Sequence, residues 1–198
     1  MSEDQAKRKL AAIFSADVKG YSRLMGQDEV STFRTLTTYF QVMTVLIEQN
    51  RGRVMDAKGD NMLAAFSSVV AAVSCAVEIQ KELAQRNEQL PPERRIEFRI
   101  GINVGDIVEE NEQIYGDGVN IAARLEGRAD PGGICISGSA YDQVRNKLKL
   151  GYECLGELRV KNIAAPVRAY RVLMAPEEEG GYRRRRLLIE LSRSIRII

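Results

Sequence analysis

A chain of 198 residues, 44% hydrophobic and 28% charged, is long enough to bury a full core and is expected to form one domain of ordinary globular composition. That excludes a disordered chain, a collagen-like fibre and a disulfide-stapled mini-protein. A formal charge of +2, from 29 Lys and Arg against 27 Asp and Glu, is too small for a surface built for nucleic acid, so no nucleic-acid partner is expected and any binding must come from a local site.

Histidine is absent. This removes the commonest general base, the commonest zinc ligand and every Ser-His or Cys-His nucleophilic pair. Chemistry must then rest on carboxylates, Arg, Lys, amides, backbone groups or a metal held by carboxylates. Cys75, Cys135 and Cys154 are widely spaced and contain no CxxC, which points to a reducing compartment and to core-filling thiols rather than a disulfide framework. The polar start and the lack of any long apolar stretch lead to the expectation of a cytoplasmic, soluble chain.

Leu10 to Val18 is an almost unbroken apolar run, the pattern of a strand covered on both faces, with Asp17 at its rim. From Asp28, a candidate N-cap, Val30, Phe33, Leu36, Phe40, Met43 and Leu46 recur at three and four, predicting an amphipathic helix to about Gln49. Arg53 to Asp56 and Met62 to Phe66 read as a β-hairpin with Asp60 at its tip. A second amphipathic helix is predicted from about Ser68 to Gln89, with Val69, Val73, Val77 and Leu83 on one stripe.

Phe98, Ile100, Ile102 and Val104 alternate with Arg99, Gly101 and Asn103 in a strand of period two, and Ile107 and Val108 lead on toward a turn at residues 109 to 112. A short helix opens at Gly116. Ile134 to Ser137 reads as a strand, Ser139 to Arg145 as a helix, and Leu158 to Asn162 with Val167 to Leu173 as a closing hairpin. The order βαββαβ followed by αβαββ predicts a mixed or antiparallel sheet carrying helices, over residues 1 to 174.

Residues 175 to 198 form a charged tail in which Leu188, Leu191, Ile195 and Ile198 fall at helical spacing beside Arg. That pattern fits a basic amphipathic helix for an anionic membrane or another subunit, and equally a linker or a solvated helix.

Two aspartates are candidates for chemistry. The βαββ order brings Asp17, at the mouth of a strand, to Asp60, at the tip of a neighbouring hairpin, and paired rim carboxylates suit Mg²⁺, which takes one or two carboxylates plus substrate phosphates. The plainer reading makes Asp60 a turn former and Asp17 a strand cap. Asn120 and Arg124, four apart, project from one helix face, where an amide and a guanidinium can hold a sugar and a phosphoryl oxygen; a solvated face is the alternative.

Four motifs now stand in order: Phe14 to Ser22 (FSADVKGYS), Lys58 to Asp60 (KGD) with MLAAF behind it, Phe98 to Gly105 (FRIGINVG), and Tyr115 to Glu126 (YGDGVNIAARLE). Together they resemble the catalytic domain of the class III adenylate and guanylate cyclases over roughly Arg8 to Leu173. The resemblance implies the cyclase fold, an α/β (α+β) ferredoxin-like βαββαβ core with extra C-terminal elements, working as a head-to-tail homodimer with composite sites. By this resemblance Asp17 and Asp60 match the metal-binding aspartates, and Val18 the position lending a backbone carbonyl. Asn120 and Arg124 match the pair that orients the ribose and stabilises the transition state from the other subunit, while Arg99 and Lys161 fall near positions that contact the polyphosphate. The implied cofactors are two Mg²⁺ or Mn²⁺ ions per site, and the implied substrate a nucleoside triphosphate.

The chain departs from the family at the base-reading positions. Adenylate cyclases of this class typically carry a Lys four residues before the second aspartate and an Asp or Thr seven before the Asn, where this sequence has Asp56 and Gln113. A carboxylate accepts hydrogen bonds and cannot donate to adenine N1, but it can accept from guanine N1–H and its amino group. Lys58, two residues on, is a stand-in for the missing Lys only if the hairpin is shifted; it shares strand parity with Asp56 unless the turn breaks that parity. The family favours ATP, the local chemistry leans to GTP, and a pyrimidine nucleotide stays open. Retention of Asp17, Asp60, Asn120 and Arg124 favours a working cyclase, and the altered base pair keeps open a cyclase-like dimer that binds nucleotide or a partner without turnover.

Overall fold

The apolar run near the start of the chain becomes the middle of a sheet. In the computed structural model, which describes residues 7–110, 113–160, 163 and 165–174, β1 (Lys7–Val18) pairs antiparallel with β3 (Asn61–Phe66) on one side and β4 (Phe98–Glu110) on the other. With β2 (Gly52–Lys58), β5 (Gln113–Tyr115), β6 (Ile134–Ser137), β7 (Gly151–Leu158) and β8 (Val167–Leu173), the sheet order is β2-β3-β1-β4-β6-β8-β7, with β5 added to the far end of β4. Only β4 and β6 run parallel among the described strands, joined through α4 (Asp117–Glu126).

Period two sorts β1 into two faces. Ala12, Phe14, Ala16 and Val18 pack into the larger core with α2 (Glu29–Gln49) and α3 (Val69–Glu88), while Ala11 and Ile13 lie on the opposite face against Ala122 of α4. Phe14, Phe98, Ile100 and Ile102 are fully buried, and each such side chain removed from water contributes about 1.5 to 3 kcal/mol. Asp28 caps α2 by accepting from the Ser31 N–H at 3.0 Å, and Ser68 caps α3 by accepting from the Ala71 N–H at 3.3 Å.

Close approach explains a glycine in the β4 motif. A Cβ on Gly101 would meet the Ala122 carbonyl oxygen at 2.1 Å and the Glu126 nitrogen at 2.3 Å, so α4 rests directly on the strand's backbone. Gly101→Ala is expected to push α4 off β4 at a cost of about 3 kcal/mol, lowering the melting temperature by roughly 10 °C in a thermal scan. A melting temperature within a degree of the parent's would rule out this tight seat.

Several local expectations need correction. The closing hairpin uses β7 at Gly151–Leu158, ending where the sequence pattern had it begin. This is an edge strand, and a register shift between Cys154 and Gly156, with Gly156 at φ 83°, destroys the alternation that would have marked it. The apolar stripe of α2 starts at Leu36, since Val30 and Phe33 are 60% and 61% exposed and Thr32 is buried instead, its hydroxyl donating to the Leu24 carbonyl. A short helix α1 (Tyr21–Gln27) fills the connection before α2. α5 (Gly138–Val144) follows β6 as predicted. Cys75 and Cys135 are buried, as core fillers should be, but Cys154 is exposed on β7.

Candidate active site

The turn KGD joins β2 to β3, and Gly59 adopts φ 60°, the left-handed region that glycine enters without a Cβ penalty. Asn61 then stands opposite Asp17 in the β1–β3 register, and the Val18 N–H donates to the Asp60 carbonyl at 3.2 Å. The hairpin tip and the end of β1 are thereby tied together, which places both aspartates at one rim. Val18 is 2% exposed with its side chain in the core, leaving its backbone carbonyl as the group it can offer.

Arg99 lies opposite Asp17 on β4 and grips it with two hydrogen bonds, Nε to Oδ1 at 2.9 Å and Nη2 to Oδ2 at 2.5 Å. Fork-on-carboxylate pairing of this kind is among the stronger polar contacts in proteins. It keeps the guanidinium further above its usual range, with Glu126 and Asp60 adding to the negative field around it.

Glu126 was not singled out in the sequence. Its carboxylate is 6% exposed and accepts from the Ser15 hydroxyl at 2.6 Å and from the Asn61 amide at 3.4 Å. Burial pushes its carboxyl up to about 7, against the pull of the Ser15 hydrogen bond, and neighbouring Asp17 adds to the rise while Arg99 opposes it. The available signal was register: Gly118, Ala122, Leu125 and Glu126 are buried at helical spacing, so the last of them is a carboxylate at a core-facing position.

Asn120 and Arg124 are exposed. At about 100° per residue, Arg124 sits some 200° around α4 from Glu126. Glu126 faces the chain's own Asp17, so Arg124 and its neighbour Asn120 point away from it. The four motif residues are therefore assembled as two separate groups, Asp17 with Asp60 at the sheet rim and Asn120 with Arg124 on the outside of α4.

A bulge decides where Asp56 points. Val54 stands opposite Ala64 and Asp56 opposite Leu63, with Met55 as the extra residue. Without it, Asp56 would share the face of Val54 and enter the core; with it, Asp56 and Lys58 both lie on the face of Asn61, Asp17 and Arg99. Lys58 and Asp56 are ion-paired at 3.4 Å, so the turn does not break their parity. Gln113 is exposed on β5 and accepts a hydrogen bond from the Tyr115 hydroxyl, and β5 packs on β2 where Ile114 and Met55 share an apolar cluster. Lys161 and the tail from residue 175 lie outside the described residues.

Among the described residues no three carboxylate or thiol groups converge to hold an ion by themselves. The donors at the rim are nonetheless of the right kind: two aspartates and one backbone carbonyl fit a hard divalent cation that takes the rest of its oxygens from substrate phosphates and water. Asp17 and Asp60 would hold Mg²⁺ or Mn²⁺, with the Val18 carbonyl as the third protein oxygen.

Residues 3–174 match the model of the adenylate and guanylate cyclase catalytic domain. The chain belongs to this family. The cyclase domain is 43% identical over 168 residues to a protein named putative adenylate cyclase 3 from Rhizobium meliloti, covering 84% of this chain and 29% of that one. It therefore spans under a third of that relative's length. The fold also matches the crystal structure of an adenylate/guanylate cyclase/hydrolase from Silicibacter pomeroyi, with a TM-score of 0.81 and 41% identity over 87% of this chain and all of the other. The adenylyl cyclase CyaB from P. aeruginosa shares the fold alone, with a TM-score of 0.75 at 24% identity, over 89% of this chain and all of the other. The mixed sheet with helices on both faces is thus that of the class III cyclases, as the resemblance implied. No described helix is long and apolar enough to cross a membrane.

Proposed function

We propose that two copies of this cyclase domain, arranged head to tail, form composite sites that convert a nucleoside triphosphate into a 3',5'-cyclic nucleotide and pyrophosphate. The observation that carries this reading is the division of labour on α4: Arg124 and Asn120 face outward while the chain's own Asp17 lies on the inner side. One chain cannot close them around a single substrate, whereas a second copy related by a two-fold axis brings each half to the other.

In the composite site Asp17 and Asp60 of one subunit meet Asn120 and Arg124 of its partner. Asn120 orients the ribose through its amide. The 3'-hydroxyl oxygen attacks the α-phosphorus and gives up its proton to solvent water, the bond from that phosphorus to the bridging oxygen breaks, and pyrophosphate leaves with the electron pair. Arg124 stabilises charge growing on the α-phosphoryl oxygens, a role whose removal costs enzymes about 3 to 4 kcal/mol. Bound divalent cations would supply the lowered hydroxyl pKa and the countercharge for the polyphosphate, which is how a chain without histidine does this chemistry. Arg99 serves the polyphosphate once it lets go of Asp17, and Lys161 assists it.

Base choice falls to Asp56, Lys58 and Gln113. Asp56 accepts and Lys58 donates side by side. Such a pair can take guanine through N1–H, N2–H and O6, or adenine through N6–H and N1, and guanine gains one bond more. Gln113 both donates and accepts and excludes neither.

The test is product analysis of the purified chain with Mg²⁺ or Mn²⁺ and each of the four ribonucleoside triphosphates. One cyclic purine nucleotide is expected from the parent, with kcat/KM lowered about 10- to 100-fold in Lys58→Ala, the worth of one charged hydrogen bond. No product from any triphosphate, with a folded dimer confirmed, would turn the reading to a nucleotide-binding module without turnover. A parent-like Lys58→Ala would remove Lys58 from base reading.

A further inference from the structure

The carboxylate of Glu126 has no part in the reaction just described, yet it is the most enclosed charged group near the metal-binding rim. It is 6% exposed, comes from the last turn of α4, and reaches across to β1 and β3 by accepting from Ser15, itself 2% exposed, and from Asn61. Ser15 is two residues from Asp17 on the same face of β1, and Asn61 follows Asp60 and stands opposite Asp17. The same helix end is pinned by the close seat of Glu126 on Gly101, next to the strand residue Ile100 that follows Arg99. Both arms of the rim, the end of β1 and the start of β3, are therefore bracketed to one carboxylate.

We propose that Glu126 is a positioning residue for Asp17, which holds the Asp17–Arg99 pair and the β1 and β3 ends that carry the two aspartates, so that a divalent cation meets a rim already in place. This rests on the cyclase reading of the rim. In the structure Arg99 occupies both oxygens of Asp17. A cation arriving at Asp17 must loosen that grip, and Glu126 offers Arg99 a second carboxylate as it does so. The same α4 then serves both sites of a dimer, with Glu126 turned to its own subunit's Asp17 and Arg124 to the partner's.

Glu126→Gln keeps the volume and an acceptor for Ser15, but it can never carry the charge that faces Arg99 and permanently presents an amide N–H toward Asp17. Arg99 is left to cling to Asp17, and the cation must compete harder. Outer-shell changes of this kind cost roughly 10- to 100-fold in metal affinity. The experiment titrates Mn²⁺ into the full chain and follows loss of the free-ion paramagnetic resonance signal. Glu126→Gln is expected to bind about tenfold more weakly than the parent with its melting temperature unchanged or higher, and Ser15→Ala to be weakened in the same direction by less, with a lowered melting temperature because the buried carboxylate loses its close donor.

Dimers mixed from Asp17→Ala and Arg124→Ala chains place the role. Adding Glu126→Gln to the Arg124→Ala chain, which supplies the intact aspartates, raises the Mn²⁺ requirement for turnover about tenfold. Adding it to the Asp17→Ala chain leaves that requirement alone. Parent-like Mn²⁺ binding by Glu126→Gln, while Asp60→Ala abolishes binding, overturns the proposal and leaves the cyclase reading standing. Binding that Asp60→Ala does not disturb overturns the metal rim itself, and equal effects in both mixed dimers mark a purely structural role.

Discussion

Asp60→Ala is expected to lower turnover by about a thousandfold or more while the dimer stays intact. The side chain stands half-buried at the tip of the β2–β3 turn, and the contact that tethers this tip to β1 runs through the Asp60 backbone carbonyl, which alanine retains. Loss of the carboxylate therefore leaves the hairpin in register. What disappears is one of two anionic oxygen donors at the rim, leaving Asp17 alone in the grip of Arg99. Metal and oriented donors at phosphoryl centres each supply several kcal/mol of transition-state stabilisation, and about 4 kcal/mol corresponds to a thousandfold. The checks are cyclic nucleotide formation, Mg²⁺-dependent nucleotide binding and sedimentation of the variant. Unchanged turnover would sink the assignment of Asp60 to the metal.

The second large effect is a recovery. Asp17→Ala and Arg124→Ala homodimers are each expected to be inactive, because every composite site in either lacks one essential group. Mixed in equal amounts, half of the dimers formed at random contain one chain of each kind. In those dimers one site has lost both groups and the other is intact, so activity should return to about a quarter of the parent's. The proposed composite site requires this asymmetry, and the placement of Arg124 supports it: Arg124 lies on the outside of α4, some 200° around the helix from the Glu126 that faces the chain's own Asp17. No recovery, with mixed dimers shown to form, would refute the shared site.

The elements with strong periodicity were legible before any coordinates. β1, β4, α2 and α3 have apolar residues at period two or at three and four, because each must bury one face or both, and burial is the dominant favourable term in folding. β7 was misplaced and β5 went unseen because a strand at the sheet's edge buries little and so writes little into the sequence. The same logic applies within α2, whose first apolar residues, Val30 and Phe33, fit the stripe but lie beyond anything to pack against.

At the candidate site the sequence by itself determined the residue types: four motifs in order, two rim aspartates, an amide and a guanidinium four apart, and no histidine. Tertiary structure alone decided how they are oriented. The bulge at Met55 turned Asp56 and Lys58 onto the face of Asp17, an inversion that period-two counting cannot foresee. Cross-strand register set Arg99 against Asp17, and the seating of α4 on Gly101 sent Glu126 inward and Arg124 outward. Sequence spacing fixes which residues share a face of one element; which element lies against that face depends on contacts between residues as far apart as Ser15 and Glu126, and these exist only once the sheet has formed.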